Sequence, residues 1–319
     1  MQQIPIGPEE NGCRVDRVVR KRCALLPLAT VYKLFRTGKV RIGGKRVEQN
    51  YRLVEGEVLE LGVDAAEMQA AAPAATADAS LVNTAFFRKN FRIIYEDADV
   101  LACNKPSGLV VHPGTGHTRH DTLIDCAAAY LQSSKGIPPG DEFALVHRLD
   151  RDTSGVILIA KNKRTLRALH DHFRERDITK EYRAICHHRP PEFEGTITVN
   201  LARSHEQKSG MKMQVKSEGG SEARSRYRID SYENDLSMVT VFLETGKTHQ
   251  IRVQMAHVGA PIVGDERYGD RTLDAAMLKG KTDRLYLHAF RLNFRHPHTG
   301  KNLTITAPVP NEFAAIVRG

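Results

Sequence analysis

The chain has 319 residues, enough for two domains, and its 41% hydrophobic and 27% charged residues are typical of a soluble globular protein. No apolar run is long enough to cross a membrane, and residues 1–12 lack the apolar segment of a signal peptide, so we expect a cytoplasmic protein. The five cysteines are scattered without a CxxC pair, which excludes a disulfide framework and predicts reduced thiols.

Most of the net charge lies in one short segment. The whole chain carries +9, and residues 13–62 hold twelve Lys and Arg against five Asp and Glu, a local net charge of +7. A small basic module joined to a nearly neutral remainder indicates attachment to a polyanion, most simply a nucleic acid. The alternative is a well-solvated surface without a partner.

This basic segment has the pattern of a small α/β module. Apolar residues recur at helical spacing in residues 13–24 and again from Leu28 to a stop at Gly38. Three short strands follow, and the glycine pair between the first two predicts a hairpin. The arrangement around the letters RTGKVRIGGKRV resembles the S4 RNA-binding domain, which we assign to residues 13–63. The resemblance implies phosphate contacts from basic side chains of the helices and first strand: Arg17, Lys21, Lys33, Arg36, Lys39 and Arg41.

The composition changes abruptly after this module. Residues 64–85 are rich in alanine and contain Pro73 but few branched or aromatic residues, so we predict a linker. Residues 86–319 then form a second domain, with many apolar runs of antiparallel type and few helices. We therefore predict an α+β fold with a mixed, mainly antiparallel sheet.

The stretch HRLDRDTSG at 147–155 lies between two apolar runs that we interpret as strands. Its small polar residues and glycine suit a tight turn. Asp150 is expected near the end of a buried strand, where a carboxylate needs a partner such as Arg148 or Arg151. The residues alone leave two interpretations open, a functional carboxylate or one half of a structural ion pair.

Several familiar chemistries do not fit the sequence. The letters GKT at 246–248 imitate the end of a phosphate-binding loop, but Val241 stands where that motif requires glycine. The histidines at 170–172 and 187–188 lack further residues at metal-ligand spacing. We find no dinucleotide-binding motif and no serine nucleophile elbow. We therefore expect chemistry without a metal or cofactor.

Two further residues could complete a site around Asp150. Tyr182 offers a flat face to stack on a base and a phenol that can move a proton, although it could equally be a core aromatic. Arg252 lies on a helix predicted from Thr248 to Val258 and could pair with Asp150, although it could equally be a surface cation.

Taken together, these stretches resemble the pseudouridine synthases of the large-ribosomal-subunit type. The matching segments occur in the family's order and cover almost all of residues 90–317. They are NKPSGLVVHPG (104–114), HRLDRDTSG (147–155), KEYRA (180–184), TGKTHQIRV (245–253), PIVGDERYG (261–269) and LHAFRL (287–292). The motif around Asp150 is highly specific, whereas KEY alone would be weak. One departure is Lys247, where the family more often has arginine.

The resemblance implies three catalytic roles. Asp150 would promote cleavage of the N1–C1′ bond, either by attacking C1′ or by taking the C2′ proton, before the base rotates and rejoins through C5. Tyr182 would stack on the uracil and could later remove the C5 proton. Arg252 would favour the ionised form of Asp150.

Four more residues are expected to contact the substrate. Arg148 would fill the gap left when the uridine flips out of its stack. Ile251 would support the base from below. Lys105 and His249 lie in matching segments and are assigned to substrate binding with them.

The expected substrate is 23S ribosomal RNA or a large-subunit assembly intermediate, with no membrane partner and a monomeric enzyme. The S4-like module favours ribosomal over transfer RNA without excluding the latter. The alternative from another class is a non-catalytic ribosome-binding or assembly protein with the same fold.

Overall fold

The computed structural model describes residues 2–23, 28–63, 84–112, 121–135, 143–204, 212–278 and 284–317. These residues form two compact units, one up to residue 63 and one from residue 84. The predicted linker lies almost wholly outside them, so the linker and the domain boundaries at its ends stay predictions. No helix in the described ranges is both long and apolar enough to span a membrane.

The N-terminal unit joins two helices and a four-stranded sheet in one core. Its elements are β1 (Gln2–Pro5), α1 (Val15–Arg22), α2 (Leu28–Arg36), β2 (Val40–Ile42), β3 (Lys45–Arg46) and β4 (Val58–Leu61). The sheet order is β1-β4-β2-β3. Gly43 and Gly44 have φ values of +53° and +76°, which place them in the predicted hairpin turn. Strand β1 lies outside the predicted module, yet it pairs with β4 and buries Ile4.

The basic residues of this unit differ in exposure. Four of those expected to contact RNA are exposed, namely Arg17, Lys33, Arg36 and Lys39. Arg41 is half-buried, and its Nε donates a 3.0 Å hydrogen bond to the Gly38 carbonyl. The side chain of Lys21 lies outside the described part of the chain.

The C-terminal unit is built on one sheet of eleven strands. They are β5 (Ile93–Glu96), β6 (Val100–Lys105), β7 (Ala144–Leu145), β8 (Ser154–Ala160), β9 (Ile178–His187), β10 (Glu194–Arg203), β11 (Met213–Lys216), β12 (Ser221–Glu233), β13 (Leu236–Leu243), β14 (Leu287–Arg295) and β15 (Asn302–Thr306). Nine follow the order β11-β10-β12-β13-β9-β14-β8-β6-β5, while β15 pairs with β14 and β7 with β8. Of the described pairs only β8 with β14 is parallel, so the α+β fold with a mainly antiparallel sheet is confirmed.

Six described helices accompany this sheet. They are α3 (Thr84–Asn90), α4 (Leu123–Lys135), α5 (Lys163–Glu175), α6 (Gln250–His257), α7 (Arg271–Leu278) and α8 (Asn311–Val317). Helices α4 and α6 contribute Leu123 and Met255 to the core that contains Tyr182. Helix α5 contributes Leu169 to a separate core that contains Leu158.

Strand β8 joins these two cores. All seven of its residues are buried, and its side chains alternate between the cores, with Ile157 in one and Leu158 in the other. At Gly155 the chain has φ = +116°, and a Cβ there would lie 2.1 Å from the carbonyl oxygen of Ala289 in β14. Glycine therefore permits β8 to approach β14 this closely. This junction fixes the start of β8 and the loop that precedes it.

Candidate active site

Asp150 lies in an irregular loop between β7 and β8, which we call the Asp150 loop (residues 146–153). The expectation that it ends a buried strand is wrong, because β7 stops at Leu145. The amide of Thr153 donates to the Asp150 carbonyl oxygen over 3.3 Å and closes a turn. The Asp150 side chain is 24% exposed, so water can reach the carboxylate and its burial costs less than a strand position would.

Lys105, at the end of β6, holds the Asp150 loop in place. Its side chain is fully buried, and Nζ donates to the carbonyl oxygens of Pro106, Leu109 and Arg151 at 2.8, 2.8 and 2.6 Å. Burial lowers the pKa of Lys105 to about 7 despite nearby carboxylates. All three of its N–H groups thus go to the backbone. Lys105 does not line the pocket described next, so the structure places it behind the site rather than against a substrate.

The other six residues assigned to catalysis and substrate binding line one cavity of about 140 Å³: Asp150, Tyr182, Arg252, Arg148, Ile251 and His249. The Asp150 loop, strand β9 and the start of helix α6 bring them together. Arg148 and Lys247 are the exposed cations among the lining residues. The cavity therefore combines a carboxylate with a rim that attracts anions.

Arg252 stands between two carboxylates. Its Nη1 lies 3.5 Å from Oδ2 of Asp150, while Nε and Nη2 each donate a 2.7 Å hydrogen bond to Asp265. The Arg252 side chain is 6% exposed and the Asp265 side chain is fully buried. Burial lowers the pKa of Arg252, but the hydrogen bonds and charge of Asp265 outweigh burial, so that its pKa is raised overall. Arg252 is thus a permanent cation aimed at Asp150 by Asp265.

Asp265, which holds Arg252, was not singled out from the sequence, although it lies in the quoted segment PIVGDERYG. Its Oδ1 also accepts from the amides of Arg267 and Tyr268 at 3.0 and 3.1 Å, which shapes the turn after α6.

The expected partners of Asp150 need correction as well. Arg151 pairs with Asp152 at 2.9 Å instead and does not line the cavity.

His249 is the second basic group facing Asp150. It occupies the N-cap position of α6 with φ = +55°, and its Nε2 lies 3.8 Å from Oδ2 of Asp150. Its Nδ1 lies 2.8 Å from the hydroxyl of Tyr268. Burial lowers the pKa of His249, and the charge of Arg252 lowers it further against the opposing charge of Asp150. The lowered pKa favours the neutral imidazole. The predicted helix start at Thr248 is two residues early.

Tyr182 forms one wall of the cavity from the middle of β9. It is 9% exposed and lies between Val241 of β13 and Ala289 of β14 in the sheet. Burial raises the pKa of Tyr182, and the charge of Asp150 raises it further. Its ring is therefore a fixed apolar surface that bears an un-ionised phenol. Ile251 is 5% exposed and belongs to the same core.

One cluster in the described ranges has the composition of a metal site. Potential ligand atoms of Asp97, Asp99 and His296 lie within 4.8 Å of one another. Nδ1 of His296, however, accepts from the amides of His298 and Thr299 at 3.2 and 3.1 Å. Its proton therefore sits on Nε2, 3.2 Å from Asp97, where a metal would need a lone pair. We interpret the cluster as a set of hydrogen bonds that link the turn after β14 to the β5–β6 turn.

The cavity suits a reaction at a neutral, flat ring that is attached to a phosphate-bearing chain. Asp150 supplies a carboxylate, and Arg252 places a positive charge 3.5 Å from it. Tyr182 and Ile251 offer apolar surface for a planar group. The exposed cations at the rim suit phosphates.

Comparison with known proteins agrees with this description. Residues 99–257 match the model of the RNA pseudouridylate synthase family. The chain is 36% identical to the ribosomal large subunit pseudouridine synthase C of Buchnera aphidicola subsp. Schizaphis graminum, over 96% of this chain and 93% of that one. It is 34% identical to the enzyme of the same name from Salmonella typhimurium, over 97% and 93%. Among solved structures, human RNA pseudouridylate synthase domain containing 1 superposes with a TM-score of 0.54 at 27% identity, over 69% of this chain and 83% of that one.

Proposed function

The chain belongs to the RNA pseudouridylate synthase family, which makes it an isomerase, and we propose that it converts specific uridines of 23S ribosomal RNA to pseudouridine. The substrate class rests on the relatives, which are named for the large ribosomal subunit and are matched over 93% of their length. The single observation that carries the site assignment is the carboxylate of Asp150, which faces a cavity with Arg252 at 3.5 Å and Tyr182 in the wall.

In the proposed reaction Asp150 releases the uracil from its sugar. The carboxylate either attacks C1′ as the N1–C1′ bond breaks, or takes the proton from C2′ to leave a glycal. Either route leaves an anionic uracil, which rotates and forms a bond from C5 to C1′. In the first route the bond between Asp150 and C1′ breaks as the new bond forms, and in the second Asp150 returns the proton to C2′. The C5 proton is then lost and N1 gains one, so the product is an isomer of the substrate. Arg252 offsets the negative charge that moves between Asp150 and the base.

Tyr182 holds the detached base during this rotation. Because the pKa of Tyr182 is raised by burial, its phenolate is not available in advance as a base for the C5 proton. Stacking is therefore the role that its surroundings favour. Ile251 supports the opposite side of the base, and Arg148 fills the place that the flipped uridine leaves in the RNA.

The exposed cations of the N-terminal unit hold the RNA by its phosphates. Arg17, Lys33, Arg36 and Lys39 supply charge without reading sequence. The full substrate is 23S RNA or an assembly intermediate that contains it, and one copy of the chain carries every residue invoked here, so we propose a monomer that acts in the cytoplasm.

Release of tritium from 23S transcript labelled at uracil C5 tests the proposal, because bond formation at C5 expels that atom. We expect release with the wild-type protein and none with Asp150→Asn. Asp152→Asn is the matched control, since it removes a neighbouring carboxylate that pairs with Arg151 outside the cavity, and it should retain release. Release only from transfer RNA would mean that transfer RNA, and not 23S RNA, is the substrate. No release from any RNA or ribosomal particle would favour a non-catalytic binding protein.

A further inference from the structure

Tyr268 connects the cavity to the edge of the sheet, yet it does not line the cavity itself. Its hydroxyl accepts a 2.8 Å hydrogen bond from the amide of Met213, the first residue of β11. The same hydroxyl lies 2.8 Å from Nδ1 of His249. The ring meets the His249 ring edge-on at 5.6 Å, and the Arg252 guanidinium lies 5.2 Å from its centroid. One side chain thus touches both groups that face Asp150.

The hydrogen-bond partners determine where the protons are. The Tyr268 oxygen already accepts from Met213, so its own proton is free to go to Nδ1 of His249. A neutral imidazole that accepts at Nδ1 carries its proton on Nε2, and Nε2 is the atom that faces Asp150 at 3.8 Å. Burial raises the pKa of Tyr268, which keeps the donating proton on its oxygen.

We propose that Tyr268 is a positioning residue that holds His249 with Nε2–H toward Asp150 and couples this arrangement to strand β11. The inference rests on the proposed function, because it assigns Asp150 a second hydrogen-bond donor for that reaction. The separations of 3.5 Å to Arg252 and 3.8 Å to His249 are longer than hydrogen bonds. Such contacts tighten when a substrate fills a site, and a fixed Nε2–H is then already aimed correctly.

The contacts that run from His249 through Tyr268 end at strand β11, which lies at the edge of the sheet and is accessible to RNA. Strand β11 is the outermost strand of the sheet order. It is flanked by Lys212, whose Nζ lies 5.8 Å from the Tyr268 ring, and it ends at the exposed Lys216. A phosphate bound at these lysines would therefore act on the strand whose first amide holds Tyr268, and so on His249.

The orientation of His249 can be measured without any activity. Nitrogen NMR of protein labelled at histidine distinguishes the two neutral tautomers, and His249→Asn identifies the resonance. We expect the Nε2–H tautomer in the wild type and a mixture in Tyr268→Phe, which keeps the ring but removes the hydroxyl. Tyr227→Phe is the matched control, because that hydroxyl also accepts a backbone amide, from Glu192, but has no contact with His249. An unchanged tautomer in Tyr268→Phe would overturn the proposal.

Single-turnover kinetics then test the consequence for Asp150. Tyr268→Phe should lower the maximal rate about tenfold, the equivalent of one ordinary hydrogen bond, and change the half-saturating enzyme concentration less than twofold. A role in RNA binding or in folding alone would instead change the half-saturating concentration or the fraction of active enzyme. If the wild type released no tritium, the proposed function would fail while the tautomer result would still stand.

The pH profile separates positioning from simple structural support. The charged and titratable groups facing His249 are Asp150 in its loop, Arg252 on α6, and Asp265, Arg267 and Tyr268 in the turn after α6. Without the hydroxyl, Nδ1 is free to take a proton, so the pKa of His249 should rise in Tyr268→Phe. A protonated His249 would form an ion pair with Asp150 and make the carboxylate less reactive. Because this protonation would now occur at higher pH, the acidic limb of the pH–rate profile should move to higher pH. An acidic limb at the same pH in Tyr268→Phe and in the wild type would contradict the proposal.

The link to β11 has its own pair of variants. Met213→Pro removes the amide that holds Tyr268, and proline is tolerated at the first residue of an edge strand. Met213→Ala changes the same side chain and keeps the amide. We expect the proline variant to reproduce the acidic-limb shift of Tyr268→Phe and the alanine variant to match the wild type. An equal acidic limb in the proline and alanine variants would show that β11 does not influence His249.

Discussion

Arg252 gives two of its three guanidinium nitrogens to Asp265, at 2.7 Å each, and presents only Nη1 to Asp150, at 3.5 Å. The buried pair thus sets the distance at which Arg252 acts. Without Asp265, the guanidinium would be drawn fully onto Asp150 and would block it. Asp265, which was not predicted, is therefore as important to the proposed chemistry as Arg252, which was.

Asp265→Asn should lower single-turnover tritium release about 100-fold, since displacements of about 1 Å at a reacting group have this effect. Loss of one partner from a buried ion pair should also lower the free energy of unfolding by about 3 kcal/mol, measurable with urea. Glu266→Gln is the control, because Glu266 is exposed one residue away. Activity within threefold of wild type in Asp265→Asn would show that Arg252 needs no such anchor.

Gly155→Ala should abolish the β8–β14 junction. The added Cβ would meet a backbone oxygen at 2.1 Å in a backbone with φ = +116°, so we expect a loss of at least about 3 kcal/mol in urea unfolding or no folded protein. Gly108→Ala supplies the comparison. It also has a positive φ, +81°, but nothing within 4 Å of a Cβ, and it should cost only about 1 kcal/mol. Equal losses in the two variants would mean that the close approach is unimportant.

Lys105 should make the stability of the protein depend on pH. Its pKa is lowered to about 7 in the folded chain, whereas an unfolded lysine titrates near 10.4, so between pH 7 and pH 9 the unfolded state binds more protons. The free energy of unfolding contributed by Lys105 must therefore rise with pH across this window, by up to about 2 kcal/mol. Urea unfolding of wild type and Lys105→Met at pH 7 and pH 9 measures it as a difference, which cancels other titrating groups.

Lys105→Met should also be less stable than wild type at both pH values, because buried carbonyl oxygens that accept from Nζ of Lys105 lose their donor. The pH dependence is the sharper result. If the gap between the two proteins were the same at pH 7 and pH 9, the Lys105 amine would not change its protonation on unfolding in this range.

The exposed cations of the N-terminal unit should control how strongly RNA binding depends on salt. Replacing Arg17, Lys33, Arg36 and Lys39 together by Gln should reduce the slope of log affinity against log salt by about 3, if each neutralises one phosphate. The rate at saturating enzyme should stay as in wild type, since the cavity is untouched. Arg174→Gln, at an exposed position of α5, serves as the control and should leave the slope unchanged. An unaltered slope in the fourfold variant would mean that these charges do not bind RNA.

The sequence predicted the parts of this molecule that depend on local pattern. The short apolar runs predicted the strands on either side of the Asp150 loop, and the glycine pair at 43–44 predicted its hairpin. Strand β1 was not predicted, because Gln2–Pro5 is too short to show alternation and gains its place only by pairing with β4.

In the site, the sequence could identify residues but not their partners. Asp150 and Arg252 were correctly expected to meet. The sequence could not show that Asp265 takes most of the guanidinium, or that Lys105 bonds three carbonyls behind the loop. Both depend on which side chain is buried against which backbone, and no spacing along the chain encodes that. Tyr268 was missed for the same reason, since its partners Met213 and His249 come from separate elements.

The central position of β14 decides when during synthesis the cavity can form. This strand comes late in the chain, yet it lies between β8 and β9 and joins the segment that carries Asp150 to the strand that carries Tyr182. A nascent chain that ends before β14 lacks the strand that pairs with β8 on one side and with β9 on the other. Contacts this distant in sequence form slowly and late. The cavity can therefore assemble only after β14 is available to pair with both β8 and β9.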